Sequence, residues 1–300
     1  MILLNQIKSC VNSSRIVNEA NVQILNVLQI TDPNFNANSL AWCSDKNAVL
    51  LNEIVAGFVI VSSKLLESID PNDYKHLCFV VVDNPRQAFA KVLNEFFVKH
   101  ISFGKIASSA FVDESVMFDN NAVNIGHNVV IEENCVLGNN VVIGHNTVIK
   151  SGTIIQDFVS IGSNCTIGGV GFGYEANEQG DYELIPHIGN VVLGKHVEVG
   201  NNVCIDRAVL GSTILQDNVK VDNLVHIAHG VDIGKNSLII ANAMIAGSVK
   251  IGQNCWIAPS SSIKQKLVVG SSSTVGMGSV VLKDVDENAV VAGVPAKKLN

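Results

Sequence analysis

Two histidines close together, His226 and His229, lie in the segment DNLVHIAHGVDIG, residues 222–234. Imidazole is the side-chain base best matched to neutral pH. Eighteen residues after His229 comes a glycine, Gly247. A base that takes a proton from an attacking amine or hydroxyl, beside a bare main-chain amide for the tetrahedral oxyanion, is what acyl transfer needs. That pairing requires a fold in which residues 18 apart become neighbours. The rest of the chain says whether it has one.

It does. From about residue 106 a branched aliphatic recurs every six residues, from Ile125 through Ile167, again at Leu193, Val199 and Ile205, and then from Leu215 to Val281, for 23 anchors in register. The fourth residue after each anchor is mostly small or β-branched, as at Val129, Thr147, Val225 and Ala243, and Cys135, Cys165 and Cys255 fill the same slot. These cysteines read as small core residues. A period of six fits neither an amphipathic helix nor a plain strand alternation. It is the signature of a parallel β-helix, in which three hexads make one triangular coil of 18 residues. His229 and Gly247 then share one station on adjacent coils, about 4.8 Å apart. Gly follows many anchors, where the reading assigns it tight corners with positive φ.

Two segments break the repeat. Residues 169–187, GVGFGYEANEQGDYELIPH, are polar and glycine-rich, and residues 206–214 form a shorter break. Excursions from a solenoid often build binding sites. Phe172 and Tyr174 flank Gly173 in an aromatic-poor repeat, so the first loop is expected to bind substrate.

Residues 1–102 lack the hexad. Strand-like runs at 54–62 and 78–82 alternate with helical stretches. Asn84-Pro85 reads as an N-cap followed by proline in the first turn, and Phe89, Val92, Leu93, Phe96 and Phe97 then fall on one face. The expected fold is mainly β: a small α/β domain over 1–102, then a β-helix over 103–300. The first domain would cover the open strand edge at one end of the prism.

The 300 residues are 47% hydrophobic and 16% charged, too apolar for a disordered chain. No apolar run reaches the length of a membrane span, and the N-terminus does not read as a signal peptide. A net charge of −7 argues against nucleic acid. Residues 235–300 carry seven Lys against three acidic residues, a local +4 that suits an anionic partner. Seven cysteines without a CxxC pair fit a reducing cytoplasm better than a disulfide framework or a zinc site.

Several segments carry a family resemblance: DNLVHIAHGVDIG, GGVGFGY, IPHIG (185–189), CIDRAVLG, MIAGSVKIG and, in the first domain, FVVVDNPRQAFAKVL. Together they resemble the UDP-3-O-acylglucosamine N-acyltransferases of lipid A assembly. The resemblance implies a left-handed β-helix and a homotrimer, with a nucleotide-linked amino sugar bound between subunits. It also implies transfer of an acyl group from a phosphopantetheine thioester, with no tightly bound cofactor. His229 matches the family's base and Gly247 its oxyanion amide. Asp222, Asn223 and His226 would orient His229 or the sugar, with Phe172, Gly173, Tyr174 and His187 as further sugar contacts. In the base pocket Trp42 keeps an aromatic, while Asp45 and Ala48 stand where the family has an amide and a second aromatic. His226 takes a position commonly Gln, and Lys266 replaces a second histidine.

The tail, VGMGSVVLKDVDENAVVAGVPAKKLN, resembles coenzyme A-dependent hexapeptide acetyltransferases instead, and the family's C-terminal helical extension is missing. Lys264, Lys266 and Lys283 would bind either coenzyme A or an acidic acyl carrier protein. The rival readings are a coenzyme A-dependent acetyltransferase of another nucleotide-linked deoxyamino sugar, a γ-type carbonic anhydrase, which needs three convergent histidines, and a non-catalytic scaffold.

Overall fold

The computed structural model describes residues 2–12, 15–99 and 101–299. The chain divides into two compact units, Met1–Ile101 and Ser102–Asn300.

In the first unit five strands form one sheet: β1 (Arg15–Val17), β2 (Asn26–Val27), β3 (Ser39–Trp42), β4 (Gly57–Ser62) and β5 (Leu77–Val82), in the order β1-β5-β4-β3-β2. Only β1 runs antiparallel to its neighbour. β4 and β5 are buried along their whole length, as strands covered on both faces must be. The helix predicted after Asn84 spans Pro85–Val92. The Asn84 side chain accepts a bond from Gln87 N, and a π-helical turn at Leu93–Phe97 carries Phe96 and Phe97 onto the same core.

The second unit is a parallel β-helix. Its short strands stack into three sheets of seven, eleven and nine strands. The register is the one the hexads predict. Val130 pairs with Val148, Val148 with Thr166, His226 with Met244, and Met244 with Ser262. Every anchor from Ile125 to Val281 is buried, and so are most residues at the fourth slot, in one continuous interior column. Burying each such aliphatic contributes about 1.5–3 kcal/mol. Where the slot holds a hydroxyl, the corner backbone satisfies it: Thr147 Oγ1 donates to Gly162 O at 2.8 Å and accepts from Cys165 N at 3.1 Å. Burial raises the thiols of Cys135, Cys165 and Cys255, which suits core residues rather than nucleophiles.

The structure corrects one sequence-based expectation. The glycines after the anchors do not, in general, supply the positive φ. That backbone state falls three residues after the anchor, more often on asparagine than on any other residue, as at Asn128 (φ 56°), Asn164 (φ 58°) and Asn254 (φ 57°). Asparagine tolerates it because its short amide bonds locally. Here the amides also bond from coil to coil, Asn128 Nδ2 to Asn146 Oδ1 at 3.1 Å. The glycines answer to sterics between coils: a Cβ on Gly162 would lie 2.5 Å from Gly200 O. Gly162→Ala is therefore expected to destabilise the unit by about 1–3 kcal/mol, like other overpacked sites. A thermal melt showing an unchanged Tm would contradict this.

Among the described residues no helix is long and apolar enough to cross a membrane.

Candidate active site

His226 ends up on the outer face of the nine-stranded sheet, and His229 at the corner that follows it. The corner is held from several sides. His229 O accepts from Ser248 N at 2.9 Å, Gly230 N donates to Thr213 Oγ1 at 2.9 Å, and Gly247 O accepts from Lys266 N at 2.9 Å.

Gly247 is where the coil spacing puts it. A Cβ at that residue would lie 2.7 Å from both Cε1 and Nε2 of His229, so the imidazole lies over the bare glycine backbone. The Gly247 amide is also uncommitted. At some corners the amide two residues past an anchor is capped by a side chain of the next coil, Asn139 N by Asp157 at 3.0 Å, Ser163 N by Asn201 at 2.8 Å and Lys195 N by Asp217 at 3.0 Å, while at others it is left open. Gly247 N donates to nothing among the described residues. An uncommitted N–H beside an imidazole is an available oxyanion donor. Burial, and then the charge that His187 would carry, lower the pKa of His229 from the ordinary imidazole value.

The first loop folds back onto this corner. Tyr174–Ala176 and Tyr182–Leu184 pair as an antiparallel hairpin, and its base brings in His187. The His187 and His229 rings meet edge to face, centroids 5.3 Å apart at 82°. Gly171 and Gly173 run across them. A Cβ on Gly171 would lie 2.9 Å from His187 Nε2 and 3.0 Å from His229 Cβ, and one on Gly173 would lie 3.2 Å from His187 Cε1. Phe172, 86% exposed, packs on Tyr174, and with Tyr182 they line a cavity of ≈ 500 Å³.

Below His226 lies Asp206, which the sequence reading missed. Its Oδ2 is 3.7 Å from His226 Nε2, and it is 14% exposed. Burial pushes its carboxyl up, against the opposing pull of His226 and His187. The break at 206–214 hid this neighbour, because there Cys204 pairs with His226 over 22 residues rather than 18.

Asp222 and Asn223 stand one corner away from His229. Asp222 accepts from Asn223 N at 2.7 Å and Ala241 N at 3.2 Å, and Asn223 accepts from Asn201 N at 2.8 Å. The idea that they orient His229 is thus corrected within one chain: they brace their own corner, because one hexad displaces a residue by one edge of the triangle. Lys264 and Lys266 follow Gly247 on the next coil, and Lys283 lies on the one after. All three are exposed, and none forms an ion pair among the described residues.

In the first unit Trp42 lines two cavities, an apolar one of ≈ 490 Å³ with Leu28, Phe89 and Leu93, and a polar one of ≈ 440 Å³ with Lys46, Lys64 and Arg86. Asp45 is on the polar side and accepts from Ser62 Oγ at 2.6 Å.

Residues 120–151 match the bacterial transferase hexapeptide repeat (six repeats), and 230–258 the hexapeptide repeat of succinyl-transferase. The UDP-3-O-acylglucosamine N-acyltransferase of Campylobacter lari is 39% identical over 274 residues, covering 87% of this chain and 84% of that protein. The chain belongs to the UDP-3-O-acylglucosamine N-acyltransferase family. The Helicobacter pylori protein of the same name is 37% identical over 217 residues, 68% of this chain and 63% of that one. Among solved structures, UDP-N-acetylglucosamine acyltransferase from Campylobacter jejuni is 25% identical with a TM-score of 0.59, covering 65% of this chain and 74% of that one. The Francisella novicida UDP-N-acetylglucosamine acyltransferase, at 23% identity and a TM-score of 0.60 over 65% of this chain and 70% of that one, shares the fold. This family member is an acyltransferase built on a hexapeptide β-helix.

Among the described residues no group of three or more His, Cys, Asp or Glu is arranged to hold a metal ion. His226 and His229 point to different surroundings, Asp206 for one and Gly247 for the other.

Proposed function

We propose that the chain transfers an acyl group from a phosphopantetheine thioester to the amine of UDP-3-O-acylglucosamine, in the lipid A pathway. The observation that carries the reading is the His229 ring over the uncapped Gly247 amide, in a chain 39% identical to the Campylobacter lari enzyme of that name.

In this mechanism the neutral sugar amine attacks the thioester carbonyl, and the new C–N bond forms as the carbonyl electrons move onto oxygen. Gly247 N–H holds the oxyanion. His229 takes one proton from the nitrogen. The oxyanion collapses, the C–S bond breaks, and the departing thiolate takes that proton back from His229. The products are amide and free thiol, with no acyl-enzyme. His187, Gly173 and the Phe172–Tyr174 pair border the sugar, with Asp222, Asn223 and His226 facing it from neighbouring stations. Trp42 and Asp45 hold the nucleotide base. The charged part of the donor lies along Lys264, Lys266 and Lys283. A homotrimer in the cytoplasm completes the proposal; the seven free thiols support the compartment, and sedimentation checks the assembly.

The lowered pKa of His229 sets the pH response. A base whose pKa is depressed stays unprotonated through neutrality, so kcat at saturating substrate is expected to fall through His229 only in acid. A His229 ring that titrates above about 7 by NMR would contradict the assignment.

A donor comparison tests the reaction. With UDP-3-O-acylglucosamine as acceptor, 3-hydroxyacyl carrier protein is expected to give N-acylated product and acetyl-coenzyme A little or none. The reverse preference would favour a coenzyme A-dependent acetyltransferase, the reading that the C-terminal tail supports. No product with either donor would sink both.

A further inference from the structure

His187 holds a polar atom that nothing in the chain satisfies. The residue is 7% exposed. Its Nδ1 is 2.7 Å from Ile185 O, a carbonyl that can only accept, so Nδ1 carries the hydrogen and Nε2 of the neutral ring carries the lone pair. Nε2 is buried and has no hydrogen-bond partner among the described residues. An orphaned buried acceptor loses its bond to water without regaining one. What lies next to it indicates a use. Nε2 and the Cδ2 edge of His229 approach the same point above Gly171, at 2.9 and 3.1 Å, where only the missing Cβ leaves room for both.

We propose that His187 is a positioning residue of the transfer reaction: the negative end of its ring dipole, at Nε2, lies against the edge of His229 and stabilises the imidazolium formed when His229 takes the amine's proton. The inference rests on the transferase reading and deepens it. Neutral His229 gains little from this neighbour, and cationic His229 gains more, so the interaction favours the protonated side of the step. Because Nε2 is buried, water screens this dipole little. The two rings are near-perpendicular with centroids 5.3 Å apart, close enough for the dipole of one to act on the charge of the other. Gly171 keeps the two edges together: any larger residue would force one ring away.

Other groups bear on His229 from the packed elements. Asp206 lies behind His226 and His187, with His226 Nε2 3.7 Å from its carboxylate, and Lys266 donates its backbone N–H to Gly247 O. All three are unchanged in the variants below. A cationic His187 would act on His229 in the opposite sense, repelling its proton, and the sign of the effect tells the two apart.

The test follows the His229 ring by NMR titration in the full-length protein, its signal assigned with His229→Gln. This readout needs no turnover, so it remains decisive even if the substrate assignment fails. In His187→Phe, which keeps the ring and removes the lone pair, the His229 midpoint is expected to fall by about half a pH unit, a threefold loss of proton affinity. His187→Gln, whose amide oxygen can point the same way, is expected to recover part of that shift and serves as the second variant if the phenylalanine form does not fold. The acid limb of kcat at saturating sugar should move in the same direction as the NMR midpoint. An unchanged or raised His229 midpoint in His187→Phe, or a raised one in His187→Gln, overturns the proposal.

Discussion

His229→Ala is expected to lower kcat by about 10²–10⁴-fold, the range that a positioned general base contributes. The loss should be confined to chemistry. His229 belongs to a corner and not to the interior column, which is filled by the anchors and their fourth-slot partners. The coil-to-coil bonds at that corner, Ser248 N to His229 O and Gly230 N to Thr213 Oγ1, involve no atom of the imidazole. The melting temperature should therefore stay within a few degrees of the parent, and KM for the nucleotide sugar should change much less than kcat. Steady-state kinetics with a scanning calorimetry control decide the matter. A variant with near-parental kcat would remove His229 from the mechanism.

Gly247→Ala is the sharper experiment, because it deletes nothing. Gly247 does not have positive φ, so alanine is acceptable to the backbone. The added methyl, however, would lie 2.7 Å from both Cε1 and Nε2 of His229, closer than non-bonded atoms come. The ring must swing away, and on the other side it meets His187 and Gly171. A displacement of about 1 Å at a reacting group costs roughly 10²-fold in rate. A hundredfold fall in kcat with an intact fold is the expected result. Parental kinetics in Gly247→Ala would mean that the imidazole has room to spare and that its contact with the glycine is incidental. Gly162→Ala is the contrast: there the clash is with the backbone of the next coil, so stability falls.

The architecture of the second unit could be read from residue spacing because the energetics of a β-helix are local and periodic. Each anchor stacks on the residue 18 positions away, and one missing side chain in that column would be costly wherever it fell. The 23 anchors therefore report directly on coil, register and core. The same arithmetic put Gly247 beside His229. It failed wherever the period broke. The extra residues around 206–214 moved Asp206 under His226 with an offset the hexads do not contain. The role of the glycines was also misassigned, because sequence shows that a residue lacks a side chain and not whether conformation or a neighbouring coil demands it.

Residue spacing alone specifies the solenoid, the interior column and the pairing of one imidazole with one glycine, since these depend on contacts at a fixed separation along the chain. What surrounds that pair follows from the path of the folded chain. His187 comes from 42 residues upstream, at the end of an irregular loop, and its contact with His229 depends on the path of the hairpin. That the Gly247 amide carries no cap, likewise, depends on which side chains the neighbouring coils place at that corner. Periodicity encodes which residues stack; the hydrogen bonds and buried lone pairs that tune a site depend on where an aperiodic segment comes to rest.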